Sequence, residues 1–152
     1  MLLFSEEERA QMKRSIIRKL FWMKFGRLVN NLSLKSYMRR YVKFLASMGI
    51  IFNGVPNYIA PDAYFDFQDS VKITISDSVV ISKEVMVLTH DYSIARGIQA
   101  LHGKDWSTKN TPHFLRDVFI DENSFIGARA FLLPGSHVGK NCIVGGGRSY
   151  AE

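Results

Sequence analysis

A period of six residues organises the second half of the chain. Between Ile75 and Gly147, with one interruption, the sequence divides into six-residue blocks that each open with an aliphatic residue. The openers are Ile75, Ile81, Val87, Ile120, Ile126, Leu132, Val138 and Val144. The fifth position is mostly small or modest in size, as at Val79, Ala130 and Ser136. A period of six, rather than two or 3.6, is typical of a solenoid in which each block supplies a short strand and a turn.

Three such blocks make one triangular coil, and stacked coils bury the aliphatic openers in columns. A β-sandwich fits less well, because strict alternation and Asn-Gly hairpin signals are scarce. An α/β fold fits less well too, since strands and helices do not alternate after Gly49. We predict an all-β main domain at residues 50–152, folded as a left-handed parallel β-helix, preceded by an α-helical segment at residues 1–49.

Two regions depart from the period. Between residues 50 and 74, blocks starting at Ile51, Asn57, Ala63 and Asp69 mostly lack the aliphatic opener, and we interpret them as irregular first coils. The region from about 93 to 117 interrupts the repeat and is predicted to be a loop, because it contains the breakers Gly97, Gly103 and Pro112. A long loop inside a compact repeat is often functional.

The N-terminal segment is basic and helical in pattern. Ser5 and Glu8 have capping-box spacing, Asn30–Ser33 predicts a break, and a second helix is expected to end near Gly49. Residues 1–43 hold eleven Lys and Arg against three Glu. Two interpretations stay open: a cap packed on the main domain or on a neighbouring subunit, which we favour, or contact with a membrane surface. Nucleic acid is not expected as a partner, because no binding motif accompanies the charge.

The composition excludes several classes of protein. No run of about 18 apolar residues is present, so no transmembrane helix is expected. Glu6–Glu8 interrupt the stretch where a signal peptide would be apolar. The single cysteine, Cys142, cannot form an internal disulfide, which favours a reducing, cytoplasmic location, with at most peripheral attachment to a membrane.

The repeat and one further motif resemble a known family. Val87–Ser93, which reads Val-Leu-Thr-His-Asp-Tyr-Ser, and the blocks of Phe125–Gly139 resemble the hexapeptide-repeat acyltransferases, within them the maltose, galactoside and polysaccharide O-acetyltransferases. The resemblance covers roughly residues 50–147. It implies a homotrimer, acetyl-CoA as co-substrate in a groove between subunits, and a sugar or polysaccharide acceptor.

The resemblance also implies roles for particular residues. His90 matches the family's general base, and Ala128 and Gly146 match small residues that let the pantetheine arm of acetyl-CoA approach the backbone. A histidine suits this task, since its unperturbed pKa of about 6.5 lets it take a proton from an alcohol at neutral pH.

Other polar and aromatic residues are weaker candidates for substrate binding. Asp91 follows His90, but neighbours on a strand point to opposite faces, which disfavours a contact between their side chains. Trp106 and His113 lie in the predicted loop, where they could touch an acceptor. His137 is expected at the outer surface, and no metal site is predicted.

The pattern leaves two alternatives to the enzyme. Arg148 stands where a small inward residue is expected and Tyr150 where an aliphatic opener is expected, so the final coil is predicted to be incomplete and acetyl-CoA binding impaired. A truncated or non-catalytic β-helix scaffold is therefore one alternative. The other is a zinc-dependent carbonic anhydrase-like protein, which needs three histidines. His90 and His113 have suitable spacing, but the third position is Val118.

Overall fold

The described chain contains fourteen short strands and two helices with defined bounds. The computed structural model describes residues 17–18, 20–22, 24–26, 28–30, 32–67, 70–102 and 113–150. The helices are α1 (Leu34–Ser47) and α2 (Ile94–His102). The strands are β1 (Ile51–Asn53), β2 (Tyr58–Ile59), β3 (Tyr64–Phe65), β4 (Ile73–Ser76), β5 (Val80–Ile81), β6 (Met86–Val87), β7 (His90–Asp91), β8 (Phe114–Leu115), β9 (Val118–Ile120), β10 (Phe125–Ile126), β11 (Phe131–Leu132), β12 (His137–Val138), β13 (Ile143–Val144) and β14 (Ser149–Tyr150).

Twelve of the strands form three parallel sheets of four. The sheets have the orders β1-β4-β9-β12, β2-β5-β10-β13 and β3-β6-β11-β14, and we call them the first, second and third faces. Each face receives every third strand of the repeat, so the chain winds through four coils of three strands each. The left-handed parallel β-helix predicted from the period of six is confirmed, and so is the helical segment before it.

The predicted inward columns form the core. All eight aliphatic openers are buried, and so are five fifth-position residues: Val79, Val85, Ser124, Ala130 and Ser136. The two buried serines are satisfied locally, because Ser124 Oγ donates to the carbonyl of Asp121 at 2.8 Å and Ser136 Oγ to that of Leu133 at 2.7 Å. Cys142 occupies the same position in the fourth coil and is exposed.

A left-handed backbone conformation recurs at the coil corners. The fourth residue has a positive φ in seven of the eight blocks, the exception being His90 in the Val87 block. These residues are Ser78, Glu84, Asn123, Arg129, Gly135, Asn141 and Gly147. Glycine and asparagine suit this conformation, which explains four of the seven. Glu84 and Arg129 lie at equivalent corners of neighbouring coils, where Arg129 Nε lies 2.7 Å from Glu84 Oε2.

The phase predicted for the first coil is wrong. The register pairs Ile59 with Ile81 and Phe65 with Val87, so the inward positions of this coil are 59 and 65. Blocks starting at Asn57 and Ala63 are therefore two residues out of phase. The cause is a longer connection between β3 and β4, where the chain leaves the six-residue spacing before it returns at Ile73.

The repeat also continues further than its side chains suggest. Strand β14 pairs in parallel with β11, with Tyr150 opposite Leu132, and the N–H of Phe131 donates to the carbonyl of Arg148 at 2.8 Å. The final coil was predicted to be incomplete, but it has its third strand, because backbone pairing to the preceding coil does not require an aliphatic opener. The Arg148 side chain is exposed rather than inward.

The helices before the first coil cover it. The first helical segment comprises residues 17–18, 20–22, 24–26, 28–30 and 32. The predicted Ser5–Glu8 capping box lies outside the described residues. The predicted break and second helix are confirmed: Ser33 Oγ accepts from the N–H of Ser36 at 3.3 Å, and α1 ends before Gly49, whose φ is 109°. Tyr37 is fully buried and donates its hydroxyl to the carbonyl of Ile59 at 2.6 Å. Within the described residues, no helix is both long and apolar enough to cross a bilayer.

Candidate active site

His90 lies where the chain leaves the β-helix. After β6, on the third face, the chain forms β7 instead of turning directly to the first face. Strand β7 pairs antiparallel with β8, which places His90 opposite Leu115 and Asp91 opposite Phe114. The two ends of the excursion are thus joined to each other, and His90 is held at the corner between the third and first faces.

The first part of the excursion after β7 is a helix and not the loop that the sequence predicted. It contains α2, whose helix former Ala95 is almost fully buried and whose Ile94, Ile98 and Leu101 have helical spacing. A glycine inside a helix costs only about 1 kcal/mol relative to alanine, so Gly97 did not prevent the helix. Residues 103–112, with the predicted substrate-binding Trp106, lie outside the described residues.

A buried carboxylate holds the His90 ring. Asp66, which follows β3 in the first coil, is 6% exposed, and its Oδ2 is in hydrogen-bond contact with His90 Nδ1. The same oxygen accepts the N–H of Thr89 at 3.2 Å and the Thr89 hydroxyl at 2.9 Å. When Nδ1 carries the proton that Asp66 accepts, the lone pair of the ring is on Nε2. The arrangement therefore favours the tautomer in which Nε2 can take up a proton.

The environment of Asp66 keeps its carboxylate charged. Burial acts to raise the pKa of Asp66, but hydrogen bonds from the Thr89 hydroxyl, the His90 ring and the Thr89 N–H outweigh burial and bring the pKa below its ordinary value. Asp66 is consequently ionised at neutral pH. A buried anion next to imidazole stabilises the imidazolium that forms when Nε2 accepts a proton.

The side chain of Asp91 engages Ser93. Its Oδ1 accepts the N–H of Ser93 at 2.7 Å and its Oδ2 accepts the Ser93 hydroxyl at 3.0 Å. Both hydrogen bonds lower the pKa of Asp91, and the bond from the Ser93 N–H has the larger effect. Asp91 therefore shapes the turn into α2, and the group that orients His90 is Asp66.

Two aromatic contacts connect His90 to His113. The rings of His90 and Tyr92 make an edge-to-face contact with their centroids 5.2 Å apart. Tyr92 also stacks on His113, with 4.6 Å between the ring centroids. Tyr92 is about half exposed, so this cluster forms a surface next to His90. The other predicted surface histidine, His137, is exposed on the first face, where its Nε2 lies 2.9 Å from Asp121 Oδ2.

The predicted cofactor-binding residues stack at a different corner. Ala128 and Gly146 lie in successive coils at the turn between the second and third faces, and both are exposed. The N–H of Gly147 donates to the carbonyl of Ala128 at 2.9 Å, and a Cβ at Gly146 would lie 2.9 Å from that oxygen. Close stacking of the two coils here requires glycine. Within one chain, the third face separates these residues from His90.

Sequence reasoning found His90 but missed Asp66. The sequence contains the information needed to find Asp66. When Phe65 is aligned with Val87 of the next coil, Asp66 lies beside the residues that follow Val87, which include Thr89 and His90. Asp66 was missed because the blocks of the first coil were aligned two residues out of phase.

Comparison with known structures places the fold. No family model matches the chain, and no curated protein matches it significantly. The hexapeptide-repeat-containing acetyltransferase of Vibrio cholerae is 15% identical, with a TM-score of 0.56 over 97% of this chain and 83% of that chain. Its complex with acetyl coenzyme A gives a TM-score of 0.54 at 15% identity, over 95% of this chain and 80% of that chain. A galactoside acetyltransferase in complex with coenzyme A is 18% identical, with a TM-score of 0.51 over 89% of this chain and 70% of that chain. The chain thus has the fold of the hexapeptide-repeat acetyltransferases over most of its length.

Proposed function

We propose that this chain is an acetyltransferase that moves an acetyl group from acetyl-CoA to a hydroxyl of a sugar or polysaccharide, with His90 as general base. The observation that carries the proposal is the contact of His90 Nδ1 with the buried Asp66 carboxylate. A histidine with only a structural role does not need a buried anion that selects its tautomer. The fold adds support, because the matching solved structures are acetyltransferases that bind acetyl-CoA or CoA.

The chemistry follows from the ring's orientation. Nε2 of His90 takes the proton of the acceptor hydroxyl as the hydroxyl oxygen attacks the thioester carbon. The carbon–sulfur bond then breaks, the acetyl group stays on the acceptor oxygen, and His90 returns the proton to the thiolate of CoA. Asp66 stabilises the imidazolium between these two steps and remains ionised itself. Asp91 and Tyr92 follow His90 directly and His113 stacks on Tyr92, so these residues are candidates for contact with the acceptor, as is Trp106.

The two parts of the proposed site fit a shared arrangement. His90 and the Ala128–Gly146 strip lie at different corners of one chain, so we propose that each site combines His90 of one subunit with the strip of its neighbour. Ala128 and Gly146 are both small and exposed, so a narrow, extended group such as a pantetheine arm could approach the backbone along this strip. The proposal therefore requires an oligomer, and we propose the homotrimer that the resemblance implies.

Light scattering tests the trimer directly. We expect a mass three times that of the 17.3 kDa chain at micromolar concentration. The second face presents an outward apolar row in which Val80 is half-buried, whereas Phe125 is 42% exposed and Ile143 is 79% exposed, as expected of a surface that another subunit covers. Ile143→Glu should therefore reduce the mass to that of one chain, whereas the exposed turn residue Val55→Glu should not. A monomeric parent protein would contradict both the trimer and the shared site.

Titration calorimetry with acetyl-CoA tests the cofactor part. The sequence predicted weak binding because the inward column ends at Arg148, but the pairing of β14 removes that structural reason. We now expect binding, and weaker binding by Ala128→Leu, whose larger side chain would fill the strip. Arg129→Leu at the same turn is the matched control. Sugar-dependent release of the CoA thiol, measured with a simple galactoside, maltose and an oligosaccharide, then tests the transfer. Absence of acetyl-CoA binding would favour the non-catalytic scaffold.

The structure offers no metal ligand at the third position that the carbonic anhydrase-like alternative needs. Val118, which stands where the third histidine would be needed, is in β9 and fully buried in the core. His113 meanwhile stacks on Tyr92. A cytoplasmic location stays a prediction from the single cysteine.

A further inference from the structure

The first helical segment has two apolar sides, and only one of them faces the protein. On the inner side, Trp22 is buried and its ring lies 6.1 Å from that of Phe44, while a Cβ at Gly26 would lie 2.8 Å from Pro61 Cβ. The outer side carries six exposed large apolar residues. They are Ile17, Leu20, Phe21, Phe25, Leu28 and Leu32.

Helical geometry separates these two sets. At 3.6 residues per turn, the six outer residues fall within an arc of roughly 140°, and the packed residues Trp22, Gly26 and Val29 fall in a narrow arc on another side. Packing on the β-helix therefore accounts for the inner side alone. An outer row of this size is unusual for a surface left in water, and it marks a contact surface.

The charge around this row has one sign. No Asp or Glu occurs between Glu8 and Asp62, and that stretch contains eleven Lys and Arg. In α1, the inner side is buried and aromatic, whereas four basic residues are exposed on the outer side. They are Lys35, Arg39, Arg40 and Lys43. Arg18, at the start of the described segment, lies over the Phe44 ring at 5.7 Å, which places its positive charge next to α1.

We propose that the first helical segment and α1 together bind the surface of an anionic lipid bilayer. The apolar row would enter the boundary between headgroups and acyl chains, and the basic side chains would contact the anionic headgroups. A second copy of this chain is the poorer occupant, because it would bring the same uncompensated positive charges against each other. This inference does not depend on the acetyltransferase proposal, since none of the residues involved belongs to that site.

Vesicle co-sedimentation with the full chain tests the proposal. We expect binding to vesicles of phosphatidylcholine mixed with phosphatidylglycerol, weak binding to phosphatidylcholine alone, and loss of binding at high salt. The triple variant Arg39→Gln/Arg40→Gln/Lys43→Gln should bind on the order of 100-fold more weakly, because each basic residue near an anionic surface contributes about fivefold. The control is Lys83→Gln/Arg96→Gln/Lys140→Gln, which removes three exposed basic residues of the β-helix and its excursion and should bind as the parent does.

A second pair of variants tests the apolar row. Leu20→Gln/Leu28→Gln should weaken binding by at least about tenfold, because both side chains are more than half exposed and would lose burial in the bilayer. Val55→Gln/Leu101→Gln removes two apolar residues that are at least as exposed elsewhere, and it should have no effect. Thermal unfolding of each variant checks that the fold is retained.

The results of these experiments distinguish a lipid bilayer from a second copy of the chain as the partner of the apolar row. Equal binding by the parent and the triple variant, or equal binding to the two kinds of vesicle, would overturn the proposal. So would a change in solution mass of Leu20→Gln/Leu28→Gln with no change in vesicle binding, which would assign the row to contact between copies of the chain.

Discussion

Replacing His90 with alanine is expected to lower acetyl transfer by roughly 10²–10⁴-fold, the range over which a positioned general base contributes. The loss should fall on kcat, because alanine removes the group that takes the proton of the acceptor and leaves the Ala128–Gly146 strip unchanged. The affinity for acetyl-CoA, measured by calorimetry, should stay within about twofold of the parent. A general base acts in the transition state of the transfer and does not contribute to binding of acetyl-CoA in the ground state. Thiol release with a responsive sugar gives the rate.

A second histidine provides the matched control. Like His90, His137 contacts an aspartate, Asp121, but it is exposed and lies on the first face away from the excursion. His137→Ala should therefore leave the rate unchanged. If His90→Ala retained activity within a factor of two of the parent, His90 would not be the base. A low rate caused by loss of acetyl-CoA binding would also contradict the assignment, because it would mark His90 as a binding residue.

The sequence predicted the fold wherever side chains alone determine the period. Aliphatic openers such as Ile81, Ile126 and Val144 are inward because an aliphatic column is the core of each coil, and the six-residue spacing is directly readable. The prediction failed where backbone pairing determines the structure instead. Tyr150 continues the repeat through hydrogen bonds to the preceding coil, and such bonds leave no signature in the side chains.

Half of the candidate site was predictable for the same reason. His90 is part of a local motif next to an interruption, and both are visible in one stretch of sequence. Asp66 comes from the preceding coil, 24 positions earlier, and becomes a neighbour of His90 only when the irregular coil is correctly aligned. The helix α2 was missed because Gly97 and the breakers after it favoured a loop, while burial of Ala95 and the β7–β8 pairing stabilise the helix through tertiary contacts.

Asp66→Asn is expected to reduce kcat by roughly 10²–10⁴-fold, because the amide is neutral and can hold the ring in the wrong tautomer. Its NH₂ group can donate to Nδ1, which would place the ring proton on Nε2 and remove the acceptor site. A neutral partner also no longer stabilises the imidazolium. Asp66→Glu keeps the charge and should retain more activity than Asp66→Asn. Acetyl-CoA affinity and the KM for acetyl-CoA should be unchanged, which a general loss of structure would not give.

Asp121→Asn is the control for this second variant, because Asp121 makes a comparable contact with His137 outside the proposed site. The pH dependence of stability supplies a further readout. The folded-state pKa of Asp66 lies below its ordinary value of 3.8, so its contribution to stability is present above pH 3.8 and is lost as the pH falls through the folded-state value. The difference in Tm between the parent and Asp66→Asn should accordingly shrink as the pH falls below 3.8. If Asp66→Asn kept the parent's kcat while showing this stability change, Asp66 would be a structural carboxylate, and the orientation of His90 would have to come from another group.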